Sequence, residues 1–320
     1  MSYTETLNAQ LTLPVIAAPM FILSQPELVL AQCLHGIVGS FPAMNARPKE
    51  LLDDWLVQIT ETLAQARAAQ PHARIAPFAV NQIVHAANDR LEHDMVLCVK
   101  HKVPLVITSL RPPGPVVQAV HSYGGKVFHD VASVRHAHRA IKEGVDGLIL
   151  VCAGAGGHTG TLNPFAFLSE VRAFWDGPIA LSGAISRGEH ILAAQAMGAD
   201  FAYMGTRFIA THESHAAQAY KQAVVDSTAA DIITTSCFTG LPANFMRSSI
   251  ESQGFDPDNL PVKNKAFTHE AASKPVKAWK DVWSAGQGVG AVGSVESTSA
   301  VIARLQAEYA QARSALGMCR

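Results

Sequence analysis

Between residues 13 and 204 the chain repeats one pattern: a short apolar run rich in β-branched residues, then a loop, then a stretch with helical periodicity. Strands that alternate with helices pair in parallel through right-handed crossovers, and eight such units close most naturally into a (β/α)8 TIM barrel. The eight predicted strands are 13–18, 37–41, 75–81, 104–108, 126–129, 147–152, 179–182 and 201–204. An open, doubly wound α/β sheet is the alternative architecture, because sequence patterns can miscount strands.

After Thr211 the pattern stops. Residues 212–280 contain one clear helical stretch, 216–226, followed by irregular sequence that includes Gly240-Leu241-Pro242. We expect this segment to form a smaller, mostly helical substrate or lid domain over the mouth of a barrel made of residues 1–211 and 281–320. A final helical stretch, 295–316, would then return to the barrel as its outer eighth helix.

Composition limits the class of protein. Of the 320 residues 48% are apolar and 16% are charged, and the net charge of −1 is scattered without a basic stripe. We therefore expect a large core and neither nucleic acid nor a membrane as the main partner. The five cysteines lie far apart without a CxxC pair, and no signal peptide is recognisable. These features favour a cytoplasmic protein without a disulfide framework.

One stretch, from Val145 to Gly160, combines a predicted strand with a glycine-rich loop and a single imidazole. Its apolar run is continuous, as in a strand buried on both faces, and is followed by Gly154, Gly156, Gly157 and then His158. The carboxyl ends of parallel strands are where barrels hold their ligands, so His158 becomes a candidate catalytic residue. The alternative interpretation is a glycine-rich turn that carries a surface histidine.

Two loops near the end of the predicted barrel are typical of a phosphate site. Ser182-Gly183-Ala184 follows the seventh strand and Gly205-Thr206 follows the eighth, where backbone N–H groups of barrels often bind phosphate. The glycines permit close approach and Thr206 adds a hydroxyl. The alternative is that these glycines only form tight turns, and a phosphate site alone does not distinguish a flavin from a sugar phosphate.

Other strands also end in residues suited to a site. Ala18-Pro19-Met20 ends the first strand with small residues and a polarizable thioether, which suits an aromatic ring system. Asn81-Gln82 ends the third strand and His129-Asp130 ends the fifth. Each residue alone could be a solvated loop residue. Together they place polar groups at several carboxyl strand ends, the pattern expected of a barrel active site.

Competing chemistries find little support in the sequence. The histidine pairs at 136/138 and 212/215 match neither HExxH nor a cysteine–histidine zinc spacing, so we expect no metal. No GxGxxG dinucleotide fingerprint follows the first predicted strand, and neither a phosphate-binding GxxxxGK[ST] loop nor a GxSxG nucleophile elbow occurs. A Schiff-base lysine would be needed at the end of a central strand, whereas Lys126 begins one.

Several of these segments, taken together, resemble the nitronate monooxygenase family, also called 2-nitropropane dioxygenases. The segments that carry the resemblance are Ala18-Pro19-Met20, Asn81-Gln82, Ala155 to Gly160, Ser182 to Ile185, Tyr203 to Phe208, and Gly286-Gln287-Gly288. The family has an FMN-binding TIM barrel with a smaller, mostly helical substrate domain. The resemblance implies that Gly183, Ala184, Gly205 and Thr206 hold the FMN phosphate. Where the family often has two glycines this chain has Gly183-Ala184, and we expect the extra methyl group to fit.

Motif and resemblance together define a full set of expected FMN-binding residues. They are Ala18, Pro19, Met20, Asn81, His129, Asp130, Gly156, Gly157, Ser182, Gly183, Ala184, Met204, Gly205, Thr206 and Gln287. His158 is expected to face the substrate. An imidazole is suited to removing an α-proton near neutral pH, while the electrons must pass to the flavin because no side chain can accept them.

The family's reaction is the oxidation of nitronates or nitroalkanes with O2 to a carbonyl compound and nitrite. In this chain we expect His158 to act as the base, or as a hydrogen-bond donor to the nitronate anion. The same motifs also resemble flavin-dependent enoyl-acyl-carrier-protein reductases and NADH:quinone reductases. An NAD(P)H-dependent FMN reductase therefore stays open, as does a flavin-binding barrel without turnover. The expected partners are a small-molecule substrate and O2; a homodimer is one option for the assembly.

Overall fold

Eight parallel strands form the centre of the molecule. The computed structural model describes residues 2–261 and 276–317. The barrel strands are β1 (Val15–Ala17), β2 (Gly39–Pro42), β3 (Phe78–Val84), β4 (Leu105–Leu110), β5 (Lys126–Val131), β6 (Gly147–Leu150), β8 (Ile179–Leu181) and β9 (Phe201–Met204). They pair in the order β1-β9-β8-β6-β5-β4-β3-β2, and a parallel bridge between Ile16 and Val38 closes the sheet. All eight strands were predicted, and the (β/α)8 barrel is confirmed over the open sheet.

Helices surround this barrel in the expected order. The helices are α1 (Tyr3–Asn8), α2 (Pro26–Leu34), α3 (Leu51–Ala69), α4 (Leu91–Lys100), α5 (Gly114–His121), α6 (Val134–Lys142), α7 (Pro164–Arg172), α8 (Gly188–Ala196), α9 (Gln218–Asp226), α10 (Arg247–Ser252) and α11 (Thr298–Ala315). α11 packs against α8 and α2, the place of an eighth outer helix. Gly188 makes this packing close, because a Cβ there would lie 2.2 Å from the backbone nitrogen of Tyr309.

Successive strand residues divide the core into two layers. One buried cluster fills the barrel lumen and includes Ile107 of β4, Phe128 of β5 and Phe201 of β9. A larger cluster lies between the strands and the helices and includes Val106 and Val127. Side chains alternate between the two faces of a strand, so neighbouring residues belong to different layers. α1 closes the amino-terminal end of the lumen with Leu7.

A second, small sheet lies beside the carboxyl mouth. It contains β10 (Ile232–Thr235), β11 (Ala243–Met246) and the two-residue strand β7 (Gly157–His158), all antiparallel. Its buried side chains include Phe245. The small sheet thus joins the loop after β6 to the segment predicted to be a lid, which also holds α9 and α10. Residues 262–275 of that segment lie outside the described residues, and its division from the barrel stays a prediction.

Candidate active site

A small cavity opens at the carboxyl ends of β8 and β9. Four segments meet around it: the glycine-rich loop after β6, the loop after β8, the loop after β9, and the segment around residue 287. Its lining residues are Gly154, Ala155, Gly156, Ser182, Gly183, Ala184, Ile185, Ser186, Tyr203, Gly205, Thr206, Gly286 and Gly288. The structure therefore brings together six of the residues predicted to bind a cofactor: Gly156, Ser182, Gly183, Ala184, Gly205 and Thr206.

Glycines are needed here because backbones touch backbones. A Cβ at Gly286 would lie 2.6 Å from the carbonyl oxygen of Gly154 and 2.8 Å from the nitrogen of Gly156. The Gly286 N–H donates to Thr206 Oγ1 at 2.8 Å, and the Gln287 N–H donates to the Gly154 oxygen at 2.9 Å. These contacts hold three loops at a separation that no larger residue would allow.

The loop after β8 has the backbone shape of an anion site. Gly183 has φ +122° and Ala184 has φ +55°, both in the left-handed region that favours glycine. Ala184 adopts this conformation although it carries a methyl group. Within the described residues, the N–H groups of Gly183, Ala184 and Thr206 donate to no protein acceptor. N–H groups left free around a small cavity are available for an anionic ligand.

His158 lies two residues beyond the cavity-lining Gly156. It is exposed, and β7 fixes its backbone by pairing it with Ala243 of β11. Its ring packs edge-on against Trp279 with centroids 5.2 Å apart, and Trp279 in turn stacks on Phe245. The desolvation from this packing lowers the pKa of His158 below 6.5. The imidazole is therefore mostly neutral at pH 7 and free to accept a proton.

The loop that carries His158 is also fixed from the side. Asn244 of β11 donates through Nδ2 to the backbone oxygen of Ala155 at 2.7 Å. Ser284 Oγ accepts from the Gly157 N–H at 2.7 Å and donates to the Asn244 backbone oxygen at 2.6 Å. Gly157 thus serves the loop's position and does not line the cavity.

Across the mouth, polar side chains enter the lumen from three neighbouring strands. Asn81 of β3 donates through Nδ2 to Ser109 Oγ of β4 at 2.9 Å, and Ser109 donates to Asp130 Oδ2 of β5 at 2.7 Å. The other carboxylate oxygen, Oδ1, is enclosed without a hydrogen-bond partner. Burial raises the pKa of Asp130 to about 6. Burial, and after it the negative charge of Asp130, raises the pKa of Tyr203, which lines the cavity; the two groups are therefore close.

Two predicted cofactor residues point away from the mouth. His129 follows the outer face of β5: it is 4% exposed, and its Nδ1 is 2.8 Å from Thr108 Oγ1. Burial lowers its pKa to about 4, so it is a neutral core histidine. Met204 packs in the outer layer with Val15 and Ala17. The cause is alternation, because the neighbours of these residues on the chain, Asp130 and Tyr203, occupy the lumen face.

The remaining predicted residues lie near the cavity. A Cβ at Gly205 would be 3.3 Å from the Cβ of Ala18 and 3.8 Å from the Met20 sulfur, so the loop after β1, with Pro19 between them, adjoins the cavity. Gln287 is exposed, and its Oε1 would lie 2.9 Å from a Cβ at Gly154. Sequence reasoning missed Ser109, Ser186 and Tyr203. Applying strand alternation would have found the tyrosine and Ser109.

Neither a metal centre nor a membrane span stands out in the described chain. No group of three or more histidine, cysteine, aspartate or glutamate side chains within residues 2–261 and 276–317 is arranged to hold a metal ion. In the same residues no helix has both the length and the apolarity to cross a membrane.

The fold and the mouth define a (β/α)8-barrel protein with a glycine-lined cavity and one exposed, neutral histidine beside it. The family model for nitronate monooxygenase matches residues 5–308. The chain therefore belongs to the nitronate monooxygenase family, whose members are flavin enzymes.

Individual relatives are more distant. A nitronate monooxygenase of Paraburkholderia phytofirmans is 27% identical over 76% of this chain and 76% of its own length. A Staphylococcus saprophyticus protein described as a probable nitronate monooxygenase is 30% identical over 59% of this chain. The chain spans 60% and 58% of the length of the first two curated relatives that it matches. The structure of a nitroalkane oxidase from Streptomyces ansochromogenes matches with a TM-score of 0.76 and 24% identity over 97% of this chain and 99% of that one, which establishes a shared fold.

Proposed function

We propose that this protein binds FMN at the barrel mouth and oxidises nitronates or nitroalkanes with O2, releasing a carbonyl compound and nitrite. The observation that carries the proposal is the double role of one loop. Its Gly154 and Gly156 line the cavity, while His158 projects two residues later beside Trp279. A ligand anchored in the cavity would thus have a proton acceptor close by.

The residues present suit FMN. The free N–H groups of Gly183, Ala184 and Thr206 around the small cavity suit a phosphate, which would leave the wider mouth to a ring system. Met20, Asn81, Asp130 and Tyr203 supply the thioether, amide, carboxyl and phenol that border the mouth. When bound, FMN would accept the electrons and pass them to O2.

His158 acts on the substrate's proton. Its ring nitrogens have no hydrogen-bond partner within the described residues, and its pKa lies below 6.5. The neutral imidazole takes the α-proton of a nitroalkane and then, as imidazolium, donates a hydrogen bond to the nitro oxygens. A nitronate has already lost that proton, so for this substrate only the hydrogen bond is needed. We also propose that residues 212–280 shape the substrate side of the pocket.

A visible spectrum of the purified protein tests the proposal directly. We expect a flavin spectrum that anaerobic propyl-2-nitronate bleaches and that NADH or NADPH leaves unchanged. Rapid bleaching by NAD(P)H, with the nitronate inert, would instead favour an NAD(P)H-dependent flavin reductase. A protein that stays colourless after incubation with FMN would contradict both.

The variant His158→Asn tests the role of the histidine. We expect FMN to stay bound while kcat/KM for neutral 2-nitropropane falls about 100-fold or more, with a smaller loss for the nitronate. For the parent protein, kcat/KM for the nitroalkane should fall only below pH 6.5, as the imidazole becomes protonated. The exposed His72→Asn serves as control. Equal losses on both substrates would exclude His158 as the base.

A further inference from the structure

Asp130 is a buried acid that no step of the proposed reaction uses. Its Oδ2 accepts from Ser109, its Oδ1 is enclosed and unpartnered, and within the described residues no cation pairs with it. Such a group lowers the stability of the fold, because an unpaired buried carboxylate loses its hydration. A functional role would explain why the chain keeps it. The hydrogen bonds around it indicate what that role is.

The direction of the hydrogen bonds follows from the charge on Asp130. An ionised carboxylate only accepts, so the Ser109 hydroxyl must give its proton to Asp130 Oδ2. Ser109 Oγ then has only lone pairs left for Asn81, and the group of Asn81 that faces it must be the NH2. The backbone oxygen of Ile107, 3.3 Å from the same Nδ2, demands the same orientation.

The amide of Asn81 is therefore presented with one definite end outward. Its oxygen, Oδ1, accepts from no other described residue and, unlike Asp130 Oδ1, is not enclosed. It remains open to a ligand in the mouth. Once Asp130 is protonated, its O–H can donate to Ser109, and the Ser109 hydroxyl is released to donate to the amide oxygen instead. The charge on Asp130 thus reinforces, beside the Ile107 carbonyl, the orientation in which the amide oxygen faces the mouth.

We propose that Asp130 is a positioning residue which, through Ser109, holds the Asn81 amide with its oxygen directed at the ring of bound FMN. The proposal rests on the FMN site of the proposed function. Flavin ring systems carry N–H donors, and an amide oxygen fixed in advance binds one without the cost of ordering it. The titratable neighbour that faces Asp130 is Tyr203 of β9, since Asn81 and Ser109 do not ionise and His129 lies on the outer face.

The test measures the Kd for FMN of wild type and of Asp130→Asn between pH 5 and pH 8. Flavin-free protein is titrated with FMN, and the quenching of fluorescence reports binding. The ratio of the two Kd values is the readout, because protonation of the FMN phosphate affects both proteins alike. We expect Asp130→Asn to bind about fivefold more weakly at pH 8, the value of one net hydrogen bond. The ratio should approach one at pH 5, where the native carboxyl is itself protonated.

A double-mutant cycle separates positioning from a general effect on the fold. In an Asn81→Ala background, Asp130→Asn should change Kd by less than about 1.5-fold, because the group it positions is gone. Ser109→Ala should weaken FMN binding about as much as Asp130→Asn does. In a Ser109→Ala background, the ratio of Kd values with and without Asp130→Asn should no longer change with pH. A fivefold effect of Asp130→Asn that persists without Asn81, or a ratio constant with pH, overturns the proposal.

The outcomes also distinguish this proposal from the proposed function. If FMN binds with this pattern but is not reduced by nitronate, the proposed reaction is wrong and the role of Asp130 stands. If FMN binds and is reduced but the cycle is additive, only the role of Asp130 is wrong. A protein that binds no FMN at any pH overturns both.

Discussion

The two sides of the barrel mouth are built on different principles. At β8 and β9 the cavity is lined mainly by backbone, and glycines let three loops approach to hydrogen-bonding distance. At β3, β4 and β5 the same mouth is bordered by side chains in a directional chain from Asn81 through Ser109 to Asp130. We call the cavity at β8 and β9 the backbone side and the chain from Asn81 to Asp130 the polar side. The geometry of the backbone side requires glycines, and that of the polar side requires the charge of Asp130. The two sides should therefore respond differently to substitution.

The largest expected effect is on stability and lies on the polar side. Burial raises the pKa of Asp130 from 3.8 to about 6, so the native state binds a proton more tightly than the unfolded chain does. Ionising it at pH 7 destabilises the native state by about 3 kcal/mol. We expect Asp130→Asn to raise the free energy of unfolding by up to that amount above pH 6, in urea titrations of flavin-free protein.

The pH dependence makes this prediction sharper. The gain should be near zero below pH 4 and grow by about 1.4 kcal/mol per pH unit between pH 4 and pH 6. The exposed Asp176→Asn is the matched control and should show no such growth. If Asp130→Asn is less stable than wild type at pH 8, the carboxylate stabilises the fold. Its burial then needs no functional explanation.

On the backbone side, Gly286→Ala should impair FMN binding most. The added Cβ would meet Gly154 and Gly156 at 2.6 and 2.8 Å, and both contacts are to backbone that cannot rotate away. Displacing these loops costs about 1–3 kcal/mol, which corresponds to a Kd for FMN weaker by about 10- to 100-fold. Gly293→Ala is the control, because a Cβ there meets nothing within 4 Å. Similar Kd values for both variants would contradict the close packing.

Thr206→Val tests the hydrogen bond that joins the loop after β9 to the segment around Gly286. Valine keeps the shape of threonine but leaves the Gly286 N–H without its acceptor. We expect FMN to bind about tenfold more weakly, with Thr206→Ser close to wild type, because serine retains the hydroxyl. Isothermal titration of flavin-free protein with FMN measures both. If serine and valine have equal effects, the methyl group of Thr206 matters and the hydrogen bond does not.

Sequence patterns predicted the barrel and its glycine side well, for physical reasons. Strands buried on both faces are continuous apolar runs, and close backbone contacts require glycine in the sequence itself. The polar side was predicted only in part. Counting polar residues at strand ends included His129 but ignored which face each residue occupies, so Ser109 and Tyr203 were missed. The small sheet was not foreseen either, because β7 has two residues and its partner β11 is distant in sequence.

The smallest expected effect is that of His129→Asn on FMN binding, and it tests whether the outer and lumen faces of β5 have separate roles. His129 and Asp130 are neighbours on β5, yet His129 packs against Thr108 in the outer layer. Burial lowers the pKa of His129 from 6.5 to about 4, so the native state holds it neutral and loses stability as the pH falls from 6.5 towards 4. Its slope is therefore opposite to that of Asp130, and the two partly cancel in wild type between pH 4 and 6.

We expect His129→Asn to lower the free energy of unfolding at pH 7, through the lost packing and the lost contact with Thr108, while changing the Kd for FMN by less than twofold. Asp130→Asn should do the reverse at the same pH: a more stable protein that holds FMN about fivefold less tightly. Urea unfolding and FMN titration of both variants at pH 7 decide the matter. Weakened FMN binding in His129→Asn, at a temperature where the variant stays folded, would show that the outer layer of β5 also controls the mouth.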